Sequence, residues 1–110
     1  LDITFRSGKL KDACNDSRAC RKRFGERTAK VLRRRLDELR AANVLADMRT
    51  LPAARCHELT GSRSGQLAVD LDHPRRLIFE PASPPPHRED GGLDWARVTA
   101  IVVIEVIDYH

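Results

Sequence analysis

Segment 98–107 constrains the fold more than any other part of this 110-residue chain, because it is apolar at both parities. Val98, Val102 and Ile104 occupy one parity and Ile101, Val103 and Ile107 the other. Side chains alternate across a strand, so such a run predicts a strand buried on both faces and therefore central in its sheet. Its longest uncharged core, residues 101–104, falls far short of the roughly 18 residues of a membrane span, and no membrane segment is expected. No signal peptide is expected either. Residue 1 is Leu, so the natural start is expected upstream.

A central strand needs neighbours and a covering layer. Residues 2–6 alternate Ile3 and Phe5 with Asp2, Thr4 and Arg6, which predicts a short opening strand. Residues 8–13 fit one helical turn, Asn15 or Asp16 is a suitable N-cap, and Phe24-Gly25 reads as a helix end with Gly25 as a left-handed cap. A second helix is predicted over 26–47, where Ala29, Leu32, Leu36, Leu39, Ala42 and Ala46 recur every three or four positions. Its other faces carry Arg27, Lys30, Arg33, Arg34, Arg35 and Arg40. The break at Gly25 implies an antiparallel hairpin that brings Arg18, Arg21, Lys22 and Arg23 near this arginine surface.

After Leu51-Pro52 the period changes to that of strands, predicted at 56–60, 66–71 and 76–80 as an antiparallel meander. Residues 81–93, with Pro84-Pro85-Pro86 and Gly91-Gly92, read as a loop that can be neither helix nor inner strand. No internal repeat is visible. The expectation is one α+β domain over 1–110: an N-terminal strand and a helical hairpin packed on a mainly antiparallel sheet of about four to five strands.

The formal charge of +4 conceals an asymmetry, since residues 1–50 hold 14 basic and 7 acidic side chains and residues 51–110 hold 6 and 9. A basic half of this kind is a footprint for phosphate backbones or an acidic partner, or else a solvated helix face. Cys14, Cys20 and Cys56 have neither the number nor the spacing of a disulfide framework. Six residues apart, Cys14 and Cys20 would stand about 240° apart on one helix, poor geometry for a shared metal. Small, partly buried thiols in a reducing cytoplasm are expected. The chain has no P-loop, no G-x-G-x-x-G, no H-E-x-x-H and no nucleophile elbow, so nucleotide hydrolysis, zinc chemistry and acyl transfer lack support.

His73 and His87 sit in turns, whereas His57 lies in the first meander strand on the parity of Leu59. In the third, Arg76 shares its face with Ile78 and Glu80, from which it can reach a phosphate or pair with Glu80 or Asp70. The final strand ends in Asp108, Tyr109 and His110, an unusual polar finish for a buried element.

Several motifs agree in order and spacing with one known family. They are Phe5-Arg6 with Lys9-Leu10, then Glu38-Leu39-Arg40-Ala41-Ala42, and Leu51-Pro52 ahead of Cys56-His57-Glu58-Leu59. Gly65-Gln66, Arg76-Leu77-Ile78-Phe79-Glu80-Pro81 and Asp108-Tyr109-His110 complete the series. On these the chain resembles, over essentially its full length, the HigB-type "killer protein" branch of the RelE superfamily of bacterial toxin–antitoxin ribonucleases. The resemblance implies a RelE-like fold and a cytoplasmic endoribonuclease that cuts mRNA in the A site of the 30S ribosome. It also implies silencing by a helix-turn-helix, HigA-type antitoxin, without cofactor or metal. The family's functional positions fall on His57, Arg76, Asp108, Tyr109 and His110. Where relatives carry a lysine-rich loop, this chain has Thr60-Gly61-Ser62-Arg63-Ser64, which leaves Arg63 as the loop cation.

These residue types suit the chemistry. RNA supplies its own nucleophile, the 2′-OH, and a metal-free nuclease then needs a base, an acid and cations facing the phosphorane. His57 and His110 can be base and acid in either order, Asp108 can orient a histidine, Arg76 can clamp the phosphate, and Tyr109 can stack or donate a proton. Arg18, Arg21, Lys22, Arg23, Lys30, Arg33 and Arg34, with Arg63, are the expected RNA-backbone contacts. The competing reading is a non-catalytic basic module that binds RNA or an antitoxin.

Overall fold

The computed structural model describes residues 1–108; Tyr109 and His110, both site candidates, lie outside the described residues. The elements run β1 (Asp2–Phe5), α1 (Gly8–Asn15), α2 (Ser17–Phe24), α3 (Glu26–Ala41), β2 (His57–Glu58), β3 (Leu67–Asp70), β4 (Arg75–Pro81) and β5 (Ala100–Asp108). The sheet order is β1-β5-β4-β3-β2, with β1 parallel to β5 and the other neighbours antiparallel. The predicted α+β arrangement, with helices packed against a mainly antiparallel sheet, is what forms.

Local chemistry sets the helix boundaries. Ser7 caps α1 by accepting from the Leu10 N–H, and Asp16 caps α2 by accepting from Arg18 and Ala19, so the expected single turn becomes a two-turn helix. Cys14 and Cys20 thereby fall on different helices, not on one. Gly25 does have the positive φ expected of it, 86°, but its ψ of 159° is extended rather than left-handed helical, which turns the chain straight into α3.

The second helix does not reach residue 47. It ends at Ala41, because Ala42 turns extended and the Asp47 carboxylate accepts from the N–H groups of Asn43 and Val44, starting a separate 3₁₀ turn over Leu45–Thr50. Leu45 and Met48 are buried there, so the apolar periodicity continues on a different backbone. Arg35, expected on the outer arginine surface, is only 6% exposed. Its Nε donates to the Asp70 carbonyl at 2.7 Å, and its two terminal nitrogens donate to Glu38 at 3.0 Å and to the Ala53 carbonyl at 3.1 Å. The side chain belongs to the interior and ties α3 to the end of β3 and to the Pro52–Ala54 turn.

Between the helices and the sheet lies the main core, where Leu32, Leu36 and Leu39 meet Leu67, Val69, Leu77, Phe79, Ile101 and Val103. On the opposite sheet face Ala68, Ile78 and Ile104 form a smaller apolar floor, flanked by Leu59 and Ile107. The strand β5 switches parity at a bulge. Ile78 faces Glu105 while Phe79 faces Val103, so a bulge absorbs Ile104 and reverses which parity looks into the core. Ile101 and Val103 face the helices before the bulge and Val106 does so after it. The strand is interior to the sheet as expected, but beyond the bulge it is only half-buried instead of being buried on both faces. Pro81, assigned to the loop from sequence, closes β4 opposite Ile101. Among the described residues no helix is long and apolar enough to cross a membrane.

All three cysteines are free thiols. Burial pushes the Cys14 thiol up to about 11, helped by Cys20, and the Cys56 thiol up to about 12; Cys20 is raised by burial as well. Alkylating reagents at pH 8 should therefore leave the folded protein unlabelled and label it fully in denaturant. Thiols that keep their protons only when folded add stability below their ordinary pKa of about 9, and that increment drains away as pH climbs toward 11–12. Denaturation midpoints between pH 8 and 11 should fall less steeply for Cys14→Ala than for the parent; equal slopes would contradict the assignment.

Candidate active site

Strand register, not sequence proximity, assembles the candidate residues. His57 pairs with Ala68, which pairs with Ile78, and Asp70 pairs with Arg76, so His57, Ala68, Asp70, Arg76 and Ile78 share the face turned away from the helices. Their neighbours in sequence, Glu58 and Leu77, point the other way. Glu58 accepts from Trp95 Nε1 at 3.0 Å, and Leu77 joins the core. By strand geometry the Cα atoms of His57 and Arg76 stand about 10 Å apart across two strands and about 7 Å along them. Ala68, directly opposite His57 on this face, is fully buried between them.

The histidine is oriented by its own chain. His57 Nδ1 lies 2.6 Å from the Arg55 carbonyl oxygen. A carbonyl can only accept, so Nδ1 carries a proton, and a neutral ring in this pose has its lone pair on Nε2. Arg76 Nε stands 3.4 Å from Asp70 Oδ1, and Arg55 reaches Asp70 Oδ2 at 3.3 Å. The carboxylate thus lies between two guanidiniums, and its buried Oδ1 has no hydrogen bond among the described residues.

Arg55, Asp70, Leu71, His73, Pro74, Arg75 and Arg76 line a cleft of about 130 Å³ at this end of the sheet. Sequence reasoning passed over Arg55 and Arg75 and set His73 aside; the available signal was Arg55 two positions before His57, on the same parity. Arg75 donates to Thr28 Oγ1 and Asp72, and Thr28 donates to the same Asp72 oxygen at 2.9 Å, which anchors the β3–β4 turn on α3. Asp108 is exposed at the end of β5, in register with Arg75.

Arg63 donates to Gln66 at 2.9 Å and to Glu105 at 3.3 Å, so the loop cation is half-neutralised at the rim of the same face. The helical cations lie elsewhere. Arg18, Arg21, Lys22, Arg23, Lys30, Arg33 and Arg34 are all exposed, and all but Arg18 line one of two grooves. Arg21, Lys30, Arg33 and Arg34 line a groove of about 530 Å³ with Glu26, Asp37 and Glu38, while Lys22 and Arg23 line another with Lys9 and Asp12. Both lie on the helical layer, with the sheet between them and His57. Among the described residues no three His, Cys, Asp or Glu side chains stand together as metal ligands would.

The backbone as a whole has known counterparts, although the sequence does not. No protein-family model and no curated relative matches the chain by sequence. Among solved structures it is similar to the YoeB–YefM complex from Staphylococcus aureus, with a TM-score of 0.57 and 14% identity over 100% of this chain and 97% of that one. It is also similar to a YoeB/ParE toxin from Agrobacterium tumefaciens, with a TM-score of 0.50 and 10% identity over 100% of both chains. The fold is the RelE/YoeB toxin fold. At these identities the likeness concerns the backbone alone, and the side chains of the outer face must carry any argument about activity.

Proposed function

We propose that this chain is the HigB-type toxin of a type II toxin–antitoxin system, a cytoplasmic, metal-independent endoribonuclease that cleaves mRNA in the A site of the 30S ribosome. The observation that carries this reading is the hydrogen bond fixing His57 with Nε2 outward, on the sheet face that also bears Arg76. In the reaction Nε2 takes the proton of the 2′-OH, the 2′-oxygen attacks the adjacent phosphorus, and the bond to the 5′-oxygen breaks. The leaving oxygen collects a proton, so the products are a 2′,3′-cyclic phosphate and a 5′-hydroxyl. Arg76 faces the charge that grows on the phosphorane oxygens. Asp108, Tyr109 and His110 enter through the family resemblance, with His110 as the acid, Asp108 orienting it and Tyr109 stacking on a base.

The YoeB–YefM structure is a complex, and by analogy the partner here is an antitoxin; its HigA type with a helix-turn-helix is what the family resemblance implies. The helical cations face away from the cleavage site, which suits them to ribosomal RNA backbone. Replacing Lys30, Arg33 and Arg34 together by alanine should flatten the salt dependence of RNA binding by about 2 in log–log slope while leaving single-turnover cleavage at saturating RNA unchanged. Arg35 stays out of that set because it is structural. Loss of the chemical step with binding intact would refute this division.

The decisive experiment incubates the protein with a defined mRNA, with and without ribosomes, and with EDTA in the naked-RNA arm. Cleavage with cyclic-phosphate ends that survives EDTA is expected. Binding without cleavage in every arm is the result the non-catalytic module requires.

A further inference from the structure

Arg55 is the residue whose conformation the fold itself does not explain. Its φ of 46° and ψ of 50° are left-handed, and among the described residues no other non-glycine has a positive φ. An arginine gains nothing locally there, where glycine or asparagine would be more comfortable, and such strain persists only where the surroundings impose it. The surroundings are visible. The preceding turn Pro52–Ala54 is held from behind by buried Arg35 through the Ala53 carbonyl, and the left-handed step then aims the Arg55 carbonyl at His57 and its guanidinium at Asp70. The same side chain is exposed and lines the cleft with Arg76.

We propose that Arg55 is a positioning residue for His57 and, with Arg76, the second cation of a clamp for the phosphodiester of RNA. This rests on the ribonuclease reading for its substrate, but not for its geometry. The backbone supplies the tautomer, since a left-handed residue 55 keeps the carbonyl on Nδ1 and leaves Nε2 outward. The side chain supplies charge, since Asp70 holds the two guanidiniums at the mouth of one cleft, where an entering phosphate can take the carboxylate's place between them.

Four substitutions separate the parts. Arg55→Gly keeps the backbone and removes the cation, Arg55→Lys keeps the charge, and Arg55→Val disfavours the left-handed backbone, with Arg55→Ala as its milder form. The readouts are the imidazole ¹⁵N shifts of His57, which report the tautomer, the affinity for a short 2′-O-methyl oligoribonucleotide, which cannot be cleaved, and the cleavage rate of the matching RNA. Arg55→Gly should keep the tautomer and bind the oligonucleotide about tenfold more weakly, with Arg55→Lys recovering most of the loss. Arg55→Val and Arg55→Ala should move the ring toward the Nε2–H form and slow cleavage by more than they weaken binding. Parent-like binding by Arg55→Gly overturns the clamp, and an unmoved tautomer in folded Arg55→Ala or Arg55→Val overturns the positioning role. If the parent binds RNA without cleaving it while both shifts occur, Arg55 keeps its assignment and the nuclease reading fails.

Discussion

Arg35→Ala is expected to lower the unfolding free energy by about 3 kcal/mol, and the melting temperature by on the order of 15 °C for a chain of this size. The side chain is 6% exposed and makes three hydrogen bonds to groups from three segments. Truncation removes the donors and strands two carbonyl acceptors, those of Asp70 and Ala53, each of which costs about 1–3 kcal/mol if it stays dry. Glu38 tempers the loss, because its side chain is 25% exposed and can return to water. Arg35→Lys should recover part of the stability, since one ammonium can serve some of these acceptors without the planar reach of the guanidinium. The measurement is urea denaturation of parent and both variants. A loss under about 1 kcal/mol would mean that Arg35 is a surface residue as its type suggests.

That type is why the sequence concealed it. Arg35 lies three positions after Leu32 and four before Leu39, on the buried stripe by spacing, and Thr28 lies four before Leu32 in the same way. Periodicity marked both as interior, and chemical class alone assigned Arg35 to solvent. The β5 bulge is another limit of pattern reading. Apolar residues at both parities predict packing on two faces, and Ile101 and Val103 do pack on the helical side while Ile104 packs on the other; the register shift opposite Ile78 and Phe79, which carries Val106 to the helical side, leaves no mark in that pattern. The helical hairpin, the meander order and the parities of His57 and Arg76 within their strands were legible, because alternation and turn chemistry are local; their common face needed the strand register. The Arg55 contribution was not, since nothing in the residue itself signals a left-handed backbone, and its clamp partners Asp70 and Arg76 lie 15 and 21 residues further along the chain. The two helical patches also escaped, because sequence gives the charge of a helix face but not the groove into which it opens.

His57→Ala should reduce RNA cleavage by about 10²–10⁴-fold, the usual contribution of a general base, while leaving the fold and the affinity for uncleavable RNA nearly unchanged. The structural side of this expectation is direct. β2 is a two-residue edge strand, His57 is half-buried on its outer face, and the apolar contacts of this segment come from Cys56 and Leu59, with Glu58 bound to Trp95. Nothing in the core depends on the imidazole, so melting temperature should move by no more than a few degrees. The chemical side turns on Nε2. With Nδ1 committed to the Arg55 carbonyl, Nε2 is the nitrogen left to accept a proton. His57→Gln is the sharper variant, because its amide can hydrogen-bond near the Nε2 position but cannot carry a proton away; it should be as inactive as alanine while binding RNA like the parent. Imidazole added to His57→Ala should restore part of the rate by occupying the vacated space as a base in solution. Undiminished cleavage by both variants would remove His57 from the chemistry and leave its hydrogen bond to Arg55 as a device for holding the sheet edge.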